Sequence, residues 1–580
     1  MALLLLCVAG CGSFWPVVMP EQRFLDIREE SELPQASIPA SLPPETVSQR
    51  VPTVVVPTQL SLDEAIRIAL ANSNVIRVLA GEFAVASGKT IYDPAISNTT
   101  IDEARSVFDP TLGITNNWTR TEQPGAFLNP RDPLGASISG TRIDDYALGI
   151  GLAQRNVLGG TTRLDFTDTV SRFHPGLFPL NPQERSALTL SYNQPLLRGA
   201  GPAANLAPIV IARINSERSY FQFKDSVQEL VRGVIEAYWN VAFAVKDVAA
   251  RRKQVEVGQE DFDRADAEFR AKRKSGADVA QVKAALYNFR ANLIGAEANL
   301  LRREAALRNI LGLPPTEPER LTLTTEPRTE RLEPDWDEIV RLAGERRPDL
   351  IELKLILEAD QQTVLLANNQ ARPQVDGTMF YRWNGLEGHT PTRARLETGS
   401  GEFTDWSLGV NFSVPIGLRK DRATLRRAEL VVLRDEANLE QGLHSTLHIL
   451  ASTLRNLAQY HEQYLAFKEA RKASAENLVA QRARYESGLT IYLNVLQAIS
   501  SLGDAESAEA QTLSLYNTEL ANLERDTGTI LETHGVRFFE ERYGAIGPLG
   551  RCGPARFYPS GVVPSENVDR YSTNPKQPPP

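Results

Sequence analysis

RARYESGLTIYLNVLQAIS, residues 482–500, joins two helical patterns at one glycine, Gly488, and its reading decides the fold. An echo lies earlier in the chain, where residues 270–282 read RAKRKSGADVAQV and Ser275-Gly276 stands in the place of Ser487-Gly488. A long helical run precedes each copy and a shorter one follows it. A lone glycine in such a run supplies the positive φ that reverses a helix, so each copy predicts the turn of a helical hairpin. The chain reads as two copies of one long hairpin.

Proline usage agrees. Of 36 prolines none falls between Ile209 and Leu313 or between Ile416 and Gly547, and helix interiors exclude proline. In the second run Leu443, Leu447, Leu450, Leu454 and Leu457 alternate spacings of four and three, continued by His461 and Tyr464, which predicts a coiled-coil seam. As a helix, residues 418–486 would span on the order of 100 Å. The shorter helices expected at 277–311 and 347–371 have the combined length to lie end to end beside one long helix.

Outside the hairpins the period changes to two. Leu112, Ile114, Asn116 and Trp118 alternate with Thr111, Gly113, Thr115, Asn117 and Thr119, and Tyr146, Leu148, Ile150 and Leu152 alternate with Ala147, Gly149, Gly151 and Ala153. These are strands with one apolar and one small or polar face. Residues 163–171 are weaker because Asp168 interrupts Leu164, Phe166 and Val170, whereas Leu188, Leu190 and Tyr192 alternate cleanly. Two more strands are expected at 375–383 and 406–414. A short link at 156–161 and long loops at 123–144 and 172–185 suit an outer-membrane barrel. Trp118, Trp383 and Trp406 fall in these strands, as interface girdles require.

The expected organisation is α+β: a transmembrane β-barrel with a long α-helical coiled-coil barrel, built from two repeats. The first is 60–315, with strands about 111–195 and a hairpin at 205–312. The second is 316–534, with strands about 375–414 and a hairpin at 418–534. Within 60–110 a helix begins at Leu60 with Ser61 as N-cap, and a break is expected only at Gly88 to Pro94. Residues 316–335 read as a charged linker. Residues 12–59, rich in Pro, Ser and Glu, read as a disordered tether and 535–580 as a disordered tail. At the start, Val8-Ala9-Gly10-Cys11 looks like a bacterial lipobox in a signal peptide of residues 1–11, with Cys11 lipidated; an ordinary signal peptide is the other reading. Gly12 is not the Asp that retains many lipoproteins in the inner membrane.

The net charge of −9, with both signs interspersed, gives no nucleic-acid footprint. No run of eighteen apolar residues predicts a transmembrane helix. Of the three cysteines, cleavage would remove Cys7 and leave only Cys552 besides the lipidated Cys11, so no disulfide framework is expected in the mature chain.

LSLDEAIRIAL and DWDEIVRLAGERRPDL, NQPLLRG and SVPIGLR, and RYESGLTIYLNVLQA, in duplicated order, resemble the TolC family of outer-membrane efflux channels across residues 60–534. The resemblance implies a homotrimer whose strands close one barrel in the outer-membrane lipid and whose helices form a periplasmic tunnel. It also implies two partners, a periplasmic adaptor and an inner-membrane pump. Adaptors of the family dock on the tips, which match Ser275, Gly276 and Ala277 here and, more fully, Ser487, Gly488, Leu489 and Thr490. A family gate maps to Tyr485, with Asn494 and Gln497 where the family has acidic residues, so a ring of amides replaces a ring of carboxylates. The chain departs from the family in having four candidate strands, not two, in its first repeat, which makes six per protomer and eighteen in a trimer.

His444 and His448 share a helical face, but no third ligand is recognisable and no metal or other cofactor is expected. Gly159-Gly160 and Gly199-Ala200-Gly201 lack the lysine or spacing of a phosphate cradle and read as turns. Nothing resembles a catalytic triad or carboxylate pair. The function expected is a passive exit channel of a tripartite efflux or type I secretion system, not an enzyme; the rival is a lipid-anchored structural coiled coil of the periplasm.

Overall fold

The computed structural model describes residues 43, 45–48, 56–81, 83–129, 132–176, 178–315 and 319–538. Cys11 and the lipobox, most of the expected tether and the tail from 539 lie outside the described residues.

The chain begins with β1 (Val56–Leu60), α1 (Leu62–Ala71), β2 (Val75–Ala80) and β3 (Phe83–Thr90). Ser61 caps α1 as expected, its Oγ accepting from the Glu64 N–H at 3.2 Å. Two expectations fail here. β1 pairs in parallel with β8 (Glu319–Leu323), so the end of the tether and the start of the charged linker are strand, while 324–335 carry neither helix nor strand. The buried Tyr238 fixes this pair: its hydroxyl donates to the Leu60 carbonyl at 3.1 Å and accepts from the Thr325 N–H at 3.0 Å. The helix from Leu60 does not run to residue 88 but stops at Ala71, and an antiparallel hairpin follows. Burial decides it. Ile76 and Leu79 are buried, and Leu79 sits where a Cβ on Gly233 would meet its own Cβ at 3.0 Å. The main core also holds Leu230, Val234, Leu307, Ile310 and Ile530, with Val536 and Phe538 packed on it, so the tail's first residues belong to the fold.

After α2 (Asp93–Arg105) come the strands β4 (Thr111–Asn129), β5 (Asp132–Arg155), β6 (Thr161–His174) and β7 (Gln183–Pro195). Two helices follow, the 69-residue α3 (Pro202–Arg270) and α4 (Gly276–Leu311). Next come α5 (Trp336–Arg346) and α6 (Pro348–Gln370), β9 (Gln374–His389), β10 (Arg395–Glu397) and β11 (Phe403–Ser413), the 68-residue α7 (Arg419–Glu486), α8 (Tyr492–Asp526) and the short α9 (Ile530–Thr533). α4 and α6 both pack along α3, which is what their lengths predict. At 1.5 Å per residue α3 and α7 are each about 100 Å long. Among the described residues no helix is long and apolar enough to cross a membrane.

The seam on α7 differs from its expected stripe. Leu450, Leu457, His461 and Tyr464 are buried, together with Thr446 and Thr453, but Leu443 and Leu447 are exposed. The polar Thr453 belongs inside because its hydroxyl donates to Asp526 of α8 at 2.9 Å.

Where α6 meets α7, Asp360 faces Asp435. Burial, then the hydrogen bond and charge of Asp435, push the Asp360 carboxyl up to about 6, against Arg434 and Arg218. The Arg434 hydrogen bond holds Asp435 at about 2. A carboxyl raised on folding takes up a proton, so Asp360 costs stability above about pH 6 and that cost disappears as pH falls towards its ordinary 3.8. Asp435 is the reverse, its contribution being lost between 3.8 and about 2. Asp360→Asn is therefore expected to raise the thermal midpoint at pH 7.5, with the gain shrinking between pH 6 and 4. Melting curves across that range check it, and a gain independent of pH would remove the carboxyl pair as the cause.

Candidate functional site

Six long strands lie side by side in the order β4, β5, β6, β7, β9, β11, all neighbours antiparallel, with β10 extending the sheet beside β9. Their register makes rows. One row is Leu112, Leu152, Leu164, Leu190, Tyr381 and Trp406; the next is Ile114, Ile150, Phe166, Leu188, Trp383 and Thr404. On the opposite face Gly113, Gly151, Asp165, Thr189, Arg382 and Asp405 line up. Side chains alternate along a strand, so a register slip within these rows would mix the two faces. None occurs there; the one irregularity in these pairings lies between Leu128 and Asn129, at the end of the β4–β5 hairpin. A hollow of about 610 Å³ on the sheet is lined by Thr111, Thr115, Arg163, Asp165 and Arg382 among others. Arg382 donates to the Thr189 hydroxyl at 3.2 Å, and Asn384 donates to Asp405 at 2.7 Å.

Asp168, the residue that weakened its strand in the sequence, falls in a row with Asn116, Leu148, Ser186 and Gly385, where the apolar band ends. Trp118 and Tyr146 stand one row further, ring centroids 5.4 Å apart. The loop expected at 123–144 is instead a continuation of the hairpin, paired in unbroken register as far as Leu128 with Ala136 and, past an irregularity, at Asn129 with Asp132. Its residues alternate too weakly in hydropathy to announce strands, and backbone pairing carries them on.

Sheet and helices are joined where NQPLLRG meets the end of α6 and the start of α7. The buried Asn369 accepts from the Gly199 N–H at 2.7 Å and donates to the Ala200 carbonyl at 3.0 Å, and Arg198 pairs with Asp421 at 3.5 Å. Gly159-Gly160 and Gly199-Ala200-Gly201 are turns laid together, with the Gly201 N–H on the Leu158 carbonyl at 3.1 Å.

At the far end of the helices are the two tips. The first turn does not use Gly276, which is the first residue of α4; the positive φ is at Lys272, +56°. Ser275 caps the helix in a reciprocal box with Asp278, both bonds 3.2 Å, and a capped restart needs no glycine. Ala277 follows inside the first turn. The second tip does follow its glycine: Gly488 has φ +72°, and the Leu489 N–H closes on the Arg484 carbonyl at 2.9 Å. Ser487 caps α7, and Leu489 and Ile491 are exposed at the extremity, with Thr490 between them.

The three residues expected at a gate divide. Asn494 and Gln497 share an exposed face of α8, with the Asn494 amide donating to Thr490 at 2.7 Å. Tyr485 instead turns into a joint between the tips, against Tyr492 at 5.4 Å and under the Lys274 ammonium at 5.0 Å. Lys274 pairs with Glu268 at 2.9 Å, and the Tyr492 hydroxyl donates to the buried Asp261 at 2.9 Å. Burial and the Asp261 charge push the Tyr492 phenol well above its usual range, so it stays a donor. Phe289, Val495, Leu496 and Ile499 form the apolar floor. Lys274, Tyr492 and Asp261 were missed by sequence reasoning because nothing local marks residues that meet across two hairpins. The His444 and His448 rings are 4.6 Å apart and exposed, with no cluster of three or more metal-ligating side chains among the described residues.

The family model of outer membrane efflux proteins matches residues 181–313 and 339–529, more than half of the chain. The chain belongs to the outer membrane efflux protein family. Outer membrane protein TolC of Escherichia coli (strain K12) is 22% identical over 320 residues, 53% of this chain and 63% of that protein. TolC of Salmonella enteritidis is 21% identical over 318 residues with the same coverage. The chain thus spans less than two thirds of the length of these curated relatives. Among solved structures, a membrane protein from Pseudomonas aeruginosa superposes with a TM-score of 0.58 at 18% identity, covering 84% of this chain and all of that one. The outer membrane protein VceC of Vibrio cholerae gives 0.54 at 16%, covering 80% and 96%. At such identities what is shared is the fold. The family match begins at residue 181, after β6.

Proposed function

We propose that three copies of this chain form an exit channel, their sheets closing one barrel in the outer membrane and their helices a periplasmic tunnel. The observation that carries it is the sheet whose apolar and polar rows stay in register across six strands and join helices about 100 Å long. Leu430, Leu433, Leu443 and Leu447 form an exposed apolar stripe on α7 suited to a neighbouring copy. The channel is a passive conduit for small molecules or proteins in a tripartite efflux or type I secretion system. A periplasmic adaptor docks on the tips, chiefly through the exposed Leu489 beside Gly488, and an inner-membrane pump supplies the energy. Asn494 and Gln497 ring the constriction, and the joint at Tyr485 holds the tips in place. A two-repeat organisation is supported by the recurrence of strands followed by a long and a shorter helix in each half of the chain.

Reconstitution into a planar bilayer tests this. Stepwise conductance from purified trimers is expected; folded protein that never conducts, even with altered tips, would leave the rod reading. Lipidation at Cys11 is tested separately: Cys11→Ser is expected to abolish labelling by a clickable fatty acid, and retained labelling places the anchor elsewhere.

A further inference from the structure

We propose that the free edges of β4 and β11 are the two halves of one seam. β4 of each copy pairs antiparallel with β11 of the next, so that β4, β5 and β6 all stand in the wall and three copies close a barrel of eighteen strands. This rests on the channel reading above and fixes which strands build the wall.

Exposure shows where neighbours are missing. On the apolar face Ile150, Phe166, Leu188 and Leu190, inside the sheet, are 37%, 39%, 39% and 42% exposed. On the same face at the edges, Leu112, Ile114, Leu408 and Val410 are 66%, 65%, 75% and 69% exposed. The identities are alike; only the flanking strand differs. Each edge wants a strand whose apolar residues alternate outward and whose small polar residues alternate inward, and each finds that pattern in the other. Leu112 and Ile114 match Leu408 and Val410, while Thr111, Gly113 and Thr115 match Ser407, Gly409 and Asn411.

Neither facing stretch, 111–119 or 406–413, carries the proline or lysine that blocks edges from pairing. The number of strands settles direction. Six alternating strands bring β4 and β11 to the edges running in opposite senses, so a copied sheet meets its neighbour antiparallel. One copy does not close on itself, since β4 and β11 are unpaired with each other. The wall that excludes β4 and β5 would make β6 the edge and break 14 consecutive register pairs between β5 and β6, exposing Leu164 and Phe166 along one side. Barrel diameter grows with strand number, and 16 to 18 strands leave an aqueous channel.

Cysteine pairs in the full-length protein, in membranes and in a Cys552→Ser background, test the seam. Thr115→Cys is combined in turn with Asp405→Cys, Ser407→Cys, Gly409→Cys and Asn411→Cys, all on the polar face. A disulfide needs Cα atoms about 4.4–6.8 Å apart, so one or two neighbouring partners are expected to give oxidation-dependent dimers and trimers while the others do not. Thr167→Cys of β6 with the same four is expected to give none. Crosslinks from Thr167 but not from Thr115 overturn the proposal in favour of a wall of four strands per copy. Conducting trimers with crosslinks from neither also overturn it. Absence of trimers and conductance in the uncrosslinked parent is a failure of the channel reading itself.

Discussion

Replacing Tyr485, Asn494 and Gln497 together with alanine is expected to raise single-channel conductance, and replacing only Asn494 and Gln497 with aspartate to create cation selectivity. Asn494 and Gln497 lie one turn apart on the exposed side of α8, close behind the turn at Gly488, where three copies converge if the helices form a tunnel. Amide hydrogen bonds hold such a ring with about 1 kcal/mol each. Loss of one per copy amounts to about 3 kcal/mol, on the order of 100-fold in the balance between closed and open tips. Amides carry no net field; six carboxylates on an axis would focus cations and invite block by multivalent ones. Bilayer recordings in symmetric salt, and reversal potentials across a salt gradient, check both arms. Unchanged conductance in the alanine variant, with trimers intact, would place the gate elsewhere.

What the sequence discloses is whatever depends on period and breakers. The proline-free stretches became α3, α4, α7 and α8, and the alternating runs became β4 to β7, β9 and β11 on the expected faces. Both signals are local, repeated over many residues, and tied to burial on one side. What stays hidden depends on single residues or on distant partners. VIRVLA and FAVASGKT serve a helix or a strand equally well, and only the packing of Leu79 on Gly233 decides. The pairing of β1 with β8 joins segments that nothing in either sequence relates. At the first tip the Ser-Gly pair suggested the same turn as at the second, yet Asp278 lets Ser275 cap α4 and moves the left-handed residue back to Lys272. On α7 the leucine spacing predicted one seam, whereas contact with α8 selected the neighbouring face through Thr446 and Thr453. Of the expected site, the Gly488 turn was legible; the division of Tyr485 from Asn494 and Gln497 was not, because it depends on Lys274 and Asp261 arriving from the other hairpin.

If the tips gate a channel, the joint of Tyr485, Tyr492, Lys274 and Asp261 is a second control on them, and Tyr492→Phe is expected to loosen it. The substitution keeps the ring against Tyr485 and removes only the hydroxyl that donates to Asp261 at 2.9 Å. A hydrogen bond to a charged acceptor contributes about 1.5–3 kcal/mol, and here its loss leaves a carboxylate buried without that donor. Lys274→Ala removes the ammonium stacked over both phenol rings, about 0.5–2 kcal/mol, together with the Glu268 pair. Each change frees the first hairpin from the second without touching Asn494 or Gln497. Open probability should therefore rise while ion selectivity stays as in the parent, and limited proteolysis should cut sooner in 271–275. Asp261→Asn separates the hydrogen bond from general loosening: added to Tyr492→Phe it should cost less than the two single changes summed, since the second removes the charge that the first strands. Additive effects, or wild-type gating in Tyr492→Phe, would mean that the apolar floor of Phe289, Val495, Leu496 and Ile499 holds the tips by itself.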